Sequence, residues 1–188
     1  MTIEELRHVI RACKDATHHT EFLIVGSQVI LGYYSDKELN ASLKKSREVD
    51  IVPIPNNQEI SDIIDGVLGE FSPFDNTFNI YAHGNDLSTA IFPNGWKERI
   101  NSVLIEGCTI HFPSLEDFAI AKYISGREKD LDFVREMWKA EYLDKDVIET
   151  LVKEIPNDRV SMEKINVTIK KIEADIEKYC CTTIPKLG

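Results

Sequence analysis

Two short segments of the sequence could do chemistry together. Gly26-Ser27 follows the apolar run Phe22-Leu23-Ile24-Val25, and Glu48 and Asp50 stand one residue apart in Arg47 to Val52. A strand that passes through Gly-Ser into a helix start offers unpaired backbone N–H groups and a positive dipole end, which favour an anion. Glycine lets a phosphate approach the backbone closely, and serine adds a hydroxyl donor. An ordinary turn after a strand is the alternative. Glu48 and Asp50, at i and i+2 of a strand, project to one face. Two neighbouring carboxylates repel, and a hard divalent ion offsets this; Mg²⁺ takes a few carboxylates plus substrate phosphates. A solvated acidic face on an edge strand is the alternative.

The remaining polar residues are less specific. His8, His18, His19, His83 and His111 show no H-E-x-x-H spacing, and no nucleophilic triad is legible. His18 and His19 read as surface loop, whereas His83 beside Gly84 is a candidate site residue. Cys13, Cys108, Cys180 and Cys181 form no C-x-x-C pair and read as reduced thiols. Lys44, Lys45 and Arg47 are the densest basic cluster of the first half. They suit a solvated loop, or a local platform for an acceptor phosphate backbone. Trp96 reads as packing, and Lys122, taken alone, as a side chain whose stem lies along apolar surface.

The chain has 188 residues, with 22 basic and 32 acidic side chains and a net charge of −10. Phosphate contacts need clustered Lys and Arg, so the balance argues against a histone-like or repressor-like role. No apolar run approaches the ~20 residues that span a bilayer. The acidic start Met1-Thr2-Ile3-Glu4-Glu5 lacks the features of a signal peptide. The expectation is a cytoplasmic protein with no membrane partner.

Several elements must position these residues. Thr2 to Glu5 is a capping box opening a helix of Ile3, Leu6, Val9, Ile10 and Cys13 periodicity. Phe22 to Val25 predicts a buried strand, Gln28 to Tyr34 a helix, Arg47 to Val52 a strand and Asn57 to Leu68 a helix. Phe78 to Ala82 and Leu87 to Phe92 read as a hairpin around His83-Gly84-Asn85-Asp86. Val103 to Ile105 and Cys108 to Phe112 read as strands around Glu106-Gly107. Beyond Pro113 the pattern is helical, over 115–125, 127–140, 145–154 and 161–179. The fold class is therefore α/β (α+β): a small mixed sheet with flanking helices over 1–112, then a C-terminal helical region over 113–188.

Gly26-Ser27 followed by Glu48-Val49-Asp50 resembles the Gly-Ser and acid-x-acid motif of the nucleotidyltransferase (polymerase-beta-like) superfamily. Thr89-Ala90-Ile91-Phe92-Pro93-Asn94-Gly95-Trp96-Lys97-Glu98-Arg99 is similar to a T-A-x-x-P-x-G-W-x-x-R stretch of a bacterial, toxin-like branch related to abortive-infection nucleotidyltransferases. Leu115 to Lys122 is similar to that branch's lysine helix, and Arg127-Glu128-Lys129-Asp130 to its R-x-K-D segment. The resemblance covers about residues 20–140.

It implies a Mg²⁺- or Mn²⁺-dependent transfer of a nucleoside monophosphate from an NTP to an acceptor, a tRNA or other RNA end or a protein hydroxyl. A toxin with an antitoxin partner is implied by the same branch. Gly26, Ser27 and Arg127 would hold the nucleotide, and Glu48 and Asp50 the metal. Lys122 would neutralise developing phosphate charge, and Asp130 would position Lys122 or the nucleotide. The helical region after Pro113 would thereby complete the active site. Two departures stand out. Glu48 replaces the family's usual Asp, which leaves open a catalytically inactive relative that binds nucleotide or a partner. The superfamily's third acid falls on Asp86, which also suits a turn former, or on Asp75.

Overall fold

Helix α1 (Ile3–Thr17) begins where the capping box sets it. Thr2 Oγ1 accepts from the Glu5 N–H at 3.2 Å, and the Glu5 carboxylate accepts from the Thr2 N–H at 2.6 Å. Two donors at the helix start are thus satisfied reciprocally. Leu6, Val9, Ile10 and Cys13 are buried on one face. The computed structural model describes residues 1–180.

Five strands form one mixed sheet: β1 (Glu21–Ile24), β2 (Glu48–Pro53), β3 (Tyr81–Gly84), β4 (Asn101–Ile105) and β5 (Cys108–Phe112). Their order is β3-β2-β1-β5-β4. β1 runs antiparallel to β2 and parallel to β5, and β4 and β5 form an antiparallel hairpin. That hairpin turns at Glu106 and Gly107, with φ of 53° and 74°. Positive φ at both central positions is the turn type that matches strand twist. Across β4, β5 and β1 runs a polar ladder: Ser102 Oγ is 2.8 Å from His111 Nδ1, and His111 Nε2 is 2.9 Å from Glu21 Oε1.

β2 and β3 are parallel, joined by α2 (Gln58–Leu68) and α3 (Pro73–Phe78). Asn57 caps α2, accepting from the N–H groups of Glu59 and Ile60. This crossover corrects the expected hairpin. His83 lies in β3 rather than in a turn, and Leu87–Thr89 forms a 3-10 turn instead of a second strand. Asp86 starts that turn, because its carboxylate accepts from the Ser88 N–H at 2.7 Å. The segment after Gly26 is also tighter than expected, a six-residue 3-10 helix over Ser27–Gly32.

The chain divides into two compact units. The first is residues 1–90 with 97–114; the second is 91–96 with the chain from Leu115 on. The first holds the sheet, α1, α2 and α3. The second holds α4 (Leu115–Ser125), α5 (Glu128–Lys139), α6 (Lys145–Leu151) and α7 (Met162–Cys180). Within it Asn94 N–H donates to Glu154 O at 2.8 Å, and the rings of Phe92 and Trp96 lie 4.7 Å apart. The Tyr123 hydroxyl donates to Asp175 and accepts from the Trp138 indole N–H, a buried polar cluster of three helices. The architecture is the expected one, a small mixed sheet with flanking helices followed by a helical region.

Cys13 and Cys108 are buried thiols outside any disulfide, and burial pushes the Cys13 thiol pKa up. Cys181 lies outside the described residues. Among the described residues no helix is long and apolar enough to cross a membrane.

Candidate functional site

β2 supplies the first two side chains. Its alternation buries Val49 and Ile51 and leaves Glu48 and Asp50 half-buried on the other face. β3 supplies the third. In the parallel register Asp50 stands opposite His83, and Glu48 opposite Tyr81. His83 Nδ1 lies 3.5 Å from Glu48 Oε1 and 4.0 Å from Asp50 Oδ1. One donor atom from each of Glu48, Asp50 and His83 lies within 4.8 Å of the others. Among the described residues no other group of three His, Cys, Asp or Glu side chains has this geometry.

Gly26 makes room for the cluster. A Cβ built on it would fall 1.8 Å from Asp50 Oδ2 and 2.6 Å from Asp50 Cγ. Any side chain there would displace the carboxylate. The backbone locks the same pair of segments, since the Val25 N–H donates to Asp50 O at 3.0 Å.

Surrounding groups hold the Asp50 carboxylate and the backbone on either side of the cluster. Asn85 Nδ2 donates to Asp50 Oδ1 at 3.0 Å, and the Asn85 N–H donates to Ile51 O at 2.8 Å. Asp65 of α2 accepts from the Gly84 N–H at 2.7 Å and places its other oxygen 4.0 Å from His83 Nε2. At that separation the Asp65 carboxylate adds negative charge beside the imidazole without a direct hydrogen bond to it. Buried Gln28 donates to Glu48 O at 3.1 Å and Ser46 O at 3.3 Å, fixing the start of β2. Asn85, Asp65 and Gln28 carry no sequence signal for these roles. They become visible only once β3 lies beside β2.

The local field is negative. The Tyr81 hydroxyl pKa is raised, first by burial and then by the charges of Glu48 and Glu70, which outweigh Arg47. A cation is favoured in such a field. Two carboxylates suit Mg²⁺ or Mn²⁺, and the imidazole adds a ligand more usual on transition ions. The donor set therefore fits a divalent cation. The extra methylene of Glu48 does not remove its carboxylate from the group.

The other expected residues lie elsewhere. Asp86 is outside the cluster: its carboxylate accepts from Ser88 and from Asn56 Nδ2 at 2.5 Å, which hold its pKa down at about 2. Asp75 accepts from the Phe71 N–H at 3.1 Å and lies 3.6 Å from Arg47. Arg47 also donates to Asn79 and sits 5.7 Å over the Tyr81 ring. Lys44 donates to Asp36 O at 2.9 Å, and Lys45 is exposed. Ser27 opens the 3-10 helix next to Gly26, at the turn bordering the cluster.

Lys122, Arg127 and Asp130 meet one another within the second unit. Asp130 Oδ1 accepts from Lys122 Nζ at 2.5 Å, and Oδ2 accepts from Arg127 Nε at 2.5 Å and Ser125 Oγ at 2.7 Å. Lys122 and Asp130 are buried, whereas the Arg127 side chain is mostly exposed. Burial acts to raise the Asp130 pKa, but the bonds from Lys122, Arg127 and Ser125 outweigh it, and the net shift is downward.

No curated protein and no solved structure matches the chain. Residues 2–179 match the family described as "Nucleotidyltransferase of unknown function (DUF6036)". That span takes in the sheet, the Glu48–Asp50–His83 cluster and α4 to α6, and the chain belongs to this nucleotidyltransferase family.

Proposed function

We propose that the protein transfers a nucleoside monophosphate from an NTP to an acceptor hydroxyl, on a tRNA or other RNA end or on a protein. The observation that carries this reading is the convergence of Glu48, Asp50 and His83 beside Gly26. Glu48, Asp50 and His83 would hold Mg²⁺ or Mn²⁺. A divalent cation there supplies Lewis-acid polarisation of phosphoryl oxygens and charge neutralisation of the leaving pyrophosphate.

The chain's own residues do the rest. Asn85 holds the Asp50 carboxylate, so this donor is set before substrate arrives. The missing side chain of Gly26 makes room for the Asp50 carboxylate, and Ser27 beside it offers a hydroxyl donor. We assign Lys122 to neutralising developing phosphate charge and Arg127 to nucleotide contact. The Lys122–Asp130 bond supports Asp130 as the residue that positions Lys122. In the transfer the acceptor hydroxyl gives up its proton to solvent, its oxygen bonds to the α-phosphorus, the bond from that phosphorus to the α–β bridging oxygen breaks, and pyrophosphate leaves. A toxin role with an antitoxin partner rests on the resemblance of the T-A-x-x-P-x-G-W-x-x-R and R-x-K-D segments.

The test incubates the protein with each α-labelled NTP, Mg²⁺ or Mn²⁺, and total tRNA, beside Asp50→Asn. Label entering RNA or protein, and lost in the variant, supports the reading. NTP binding without transfer to any acceptor supports the inactive relative. Neither binding nor transfer overturns both.

A further inference from the structure

The connection between β2 and β3 carries a surface that its own unit leaves uncovered. α2 packs on β3 and α1 and buries Ser61, Ile64 and Leu68. On its outer side Ile63 and Val67 are 42% and 49% exposed. Four residues apart, they lie one above the other on the helix. Gly66 stands beside them, and a Cβ there would meet nothing within 4 Å. Glycine inside a helix is destabilising relative to alanine, and no contact within the fold requires it here. The flat spot lets another backbone come close.

Phe71 is the stronger signal. It is 80% exposed and has a φ of 66°, a left-handed conformation in which a bulky side chain is an outlier. Both of its backbone groups are pinned. The Phe71 N–H donates to Asp75 Oδ2 at 3.1 Å, and the Phe71 C=O accepts from Asn76 Nδ2 at 3.2 Å. Glycine would fit this position without strain, yet the chain holds a phenyl ring out in water. Backbone strain of this kind clusters at functional positions. A fixed, exposed aromatic ring is suited to anchor a protein interface.

Charge says what the partner is. The sequence has no Lys or Arg from Glu48 through Trp96. Glu59 and Asp62 lie on the exposed side of α2 and Glu70 just beyond its end, and none of the three makes an ion pair among the described residues. Asp62 accepts from the neutral Gln58 amide at 2.7 Å, which leaves its charge uncompensated. Nearby cations are turned elsewhere. Arg7 and Arg11 of α1 pair with Glu106, Lys14 donates to the Glu106 carbonyl, and Arg47 is taken by Asp75 and Asn79. From these observations we infer that the outer face of α2, with Phe71, docks a basic amphipathic helix of a partner protein. The apolar stripe of that helix covers Ile63, Val67 and Phe71, and its Lys or Arg side chains meet Glu59, Asp62 and Glu70. The same acids repel a phosphate backbone, an anionic membrane and the identical face of a second copy. Docking there needs neither metal nor nucleotide, so it does not rest on the transfer reading.

A labelled amphipathic peptide of roughly five helical turns, with a Leu stripe flanked by Lys, tests this by fluorescence anisotropy. The wild type should bind it saturably, and should not bind the same peptide with Glu in place of Lys. Phe71→Gly should weaken binding at least about tenfold while the melting temperature stays unchanged or rises, because glycine relieves the left-handed position. Ile63→Gln with Val67→Gln should weaken it as well, and so should Asp62→Lys with Glu70→Lys. The same charge change at exposed positions of α7, Glu173→Lys with Glu177→Lys, should weaken it far less. No binding of the Lys peptide, equal binding of the Glu peptide, or binding that survives Phe71→Gly and the Ile63–Val67 pair overturns the proposal. Equal weakening by the two charge reversals means attraction to net charge only, and overturns it too. So does self-association of the protein alone that Phe71→Gly abolishes, because a second copy is then the occupant.

Discussion

Asp50 Oδ2 occupies the position that a side chain on Gly26 would take, 1.8 Å from where its Cβ would be. The turn after β1 and the acid pair of β2 are therefore one structural unit, although twenty-odd residues separate them in sequence. The same relationship joins the sequence's two chemical signals.

Gly26→Ala should accordingly damage the site more than the fold. The methyl group must push the Asp50 carboxylate away from Glu48 and His83. Transfer activity should fall about 100-fold, the scale of a displacement near 1 Å, while thermal unfolding shows a loss of about 1–3 kcal/mol. Measuring both on one preparation separates the two effects.

Asp65 and Asp86 should behave differently toward a cation. Asp65 places a carboxylate 4.0 Å from His83 Nε2, so Asp65→Asn should weaken Mn²⁺ affinity modestly, through the loss of a nearby negative charge, without abolishing it. Asp86 is engaged by Ser88 and Asn56 outside the cluster, and Asp86→Ala should leave Mn²⁺ affinity unchanged. Calorimetric titration of each variant checks this pair of outcomes.

The second unit has its own pH signature. The Asp130 carboxyl is held below its ordinary range, so its contribution to stability is present above the unfolded pKa of about 4 and is lost as pH falls through the folded value. Denaturant midpoints of the wild type should drop as pH falls below the ordinary carboxylate value of about 4. Asp130→Asn should be less stable at neutral pH but show a smaller acid drop. Lys122→Met should cost about 3 kcal/mol, because Asp130 stays buried with only Arg127 and Ser125.

Much of this arrangement is legible in the sequence because it rests on local rules. The capping box of Thr2 and Glu5 places α1, and helical periodicity places α4 to α7 within a few residues. Alternation in Glu48-Val49-Asp50-Ile51 puts both acids on one face. What is not legible depends on distant pairing. Phe78 to Phe92 contains two apolar runs, and nothing local says that one of them crosses over α2 to lie parallel to β2 while the other forms a 3-10 turn. Hence His83 is legible as a candidate but not as the neighbour of Asp50, and Asp86 carries the third-acid expectation. Asn85, Asp65 and Gln28 act through atoms that only the β2–β3 register brings near.

The central claim is that Glu48, Asp50 and His83 together hold a divalent cation. Titration of Mn²⁺ followed by its electron paramagnetic resonance signal tests it most directly, on the wild type beside Asp50→Asn and His83→Ala. The account predicts one saturable site on the wild type, lost in Asp50→Asn and weakened in His83→Ala. Wild-type protein that binds no Mn²⁺, or an Asp50→Asn variant that binds it equally well, would contradict it.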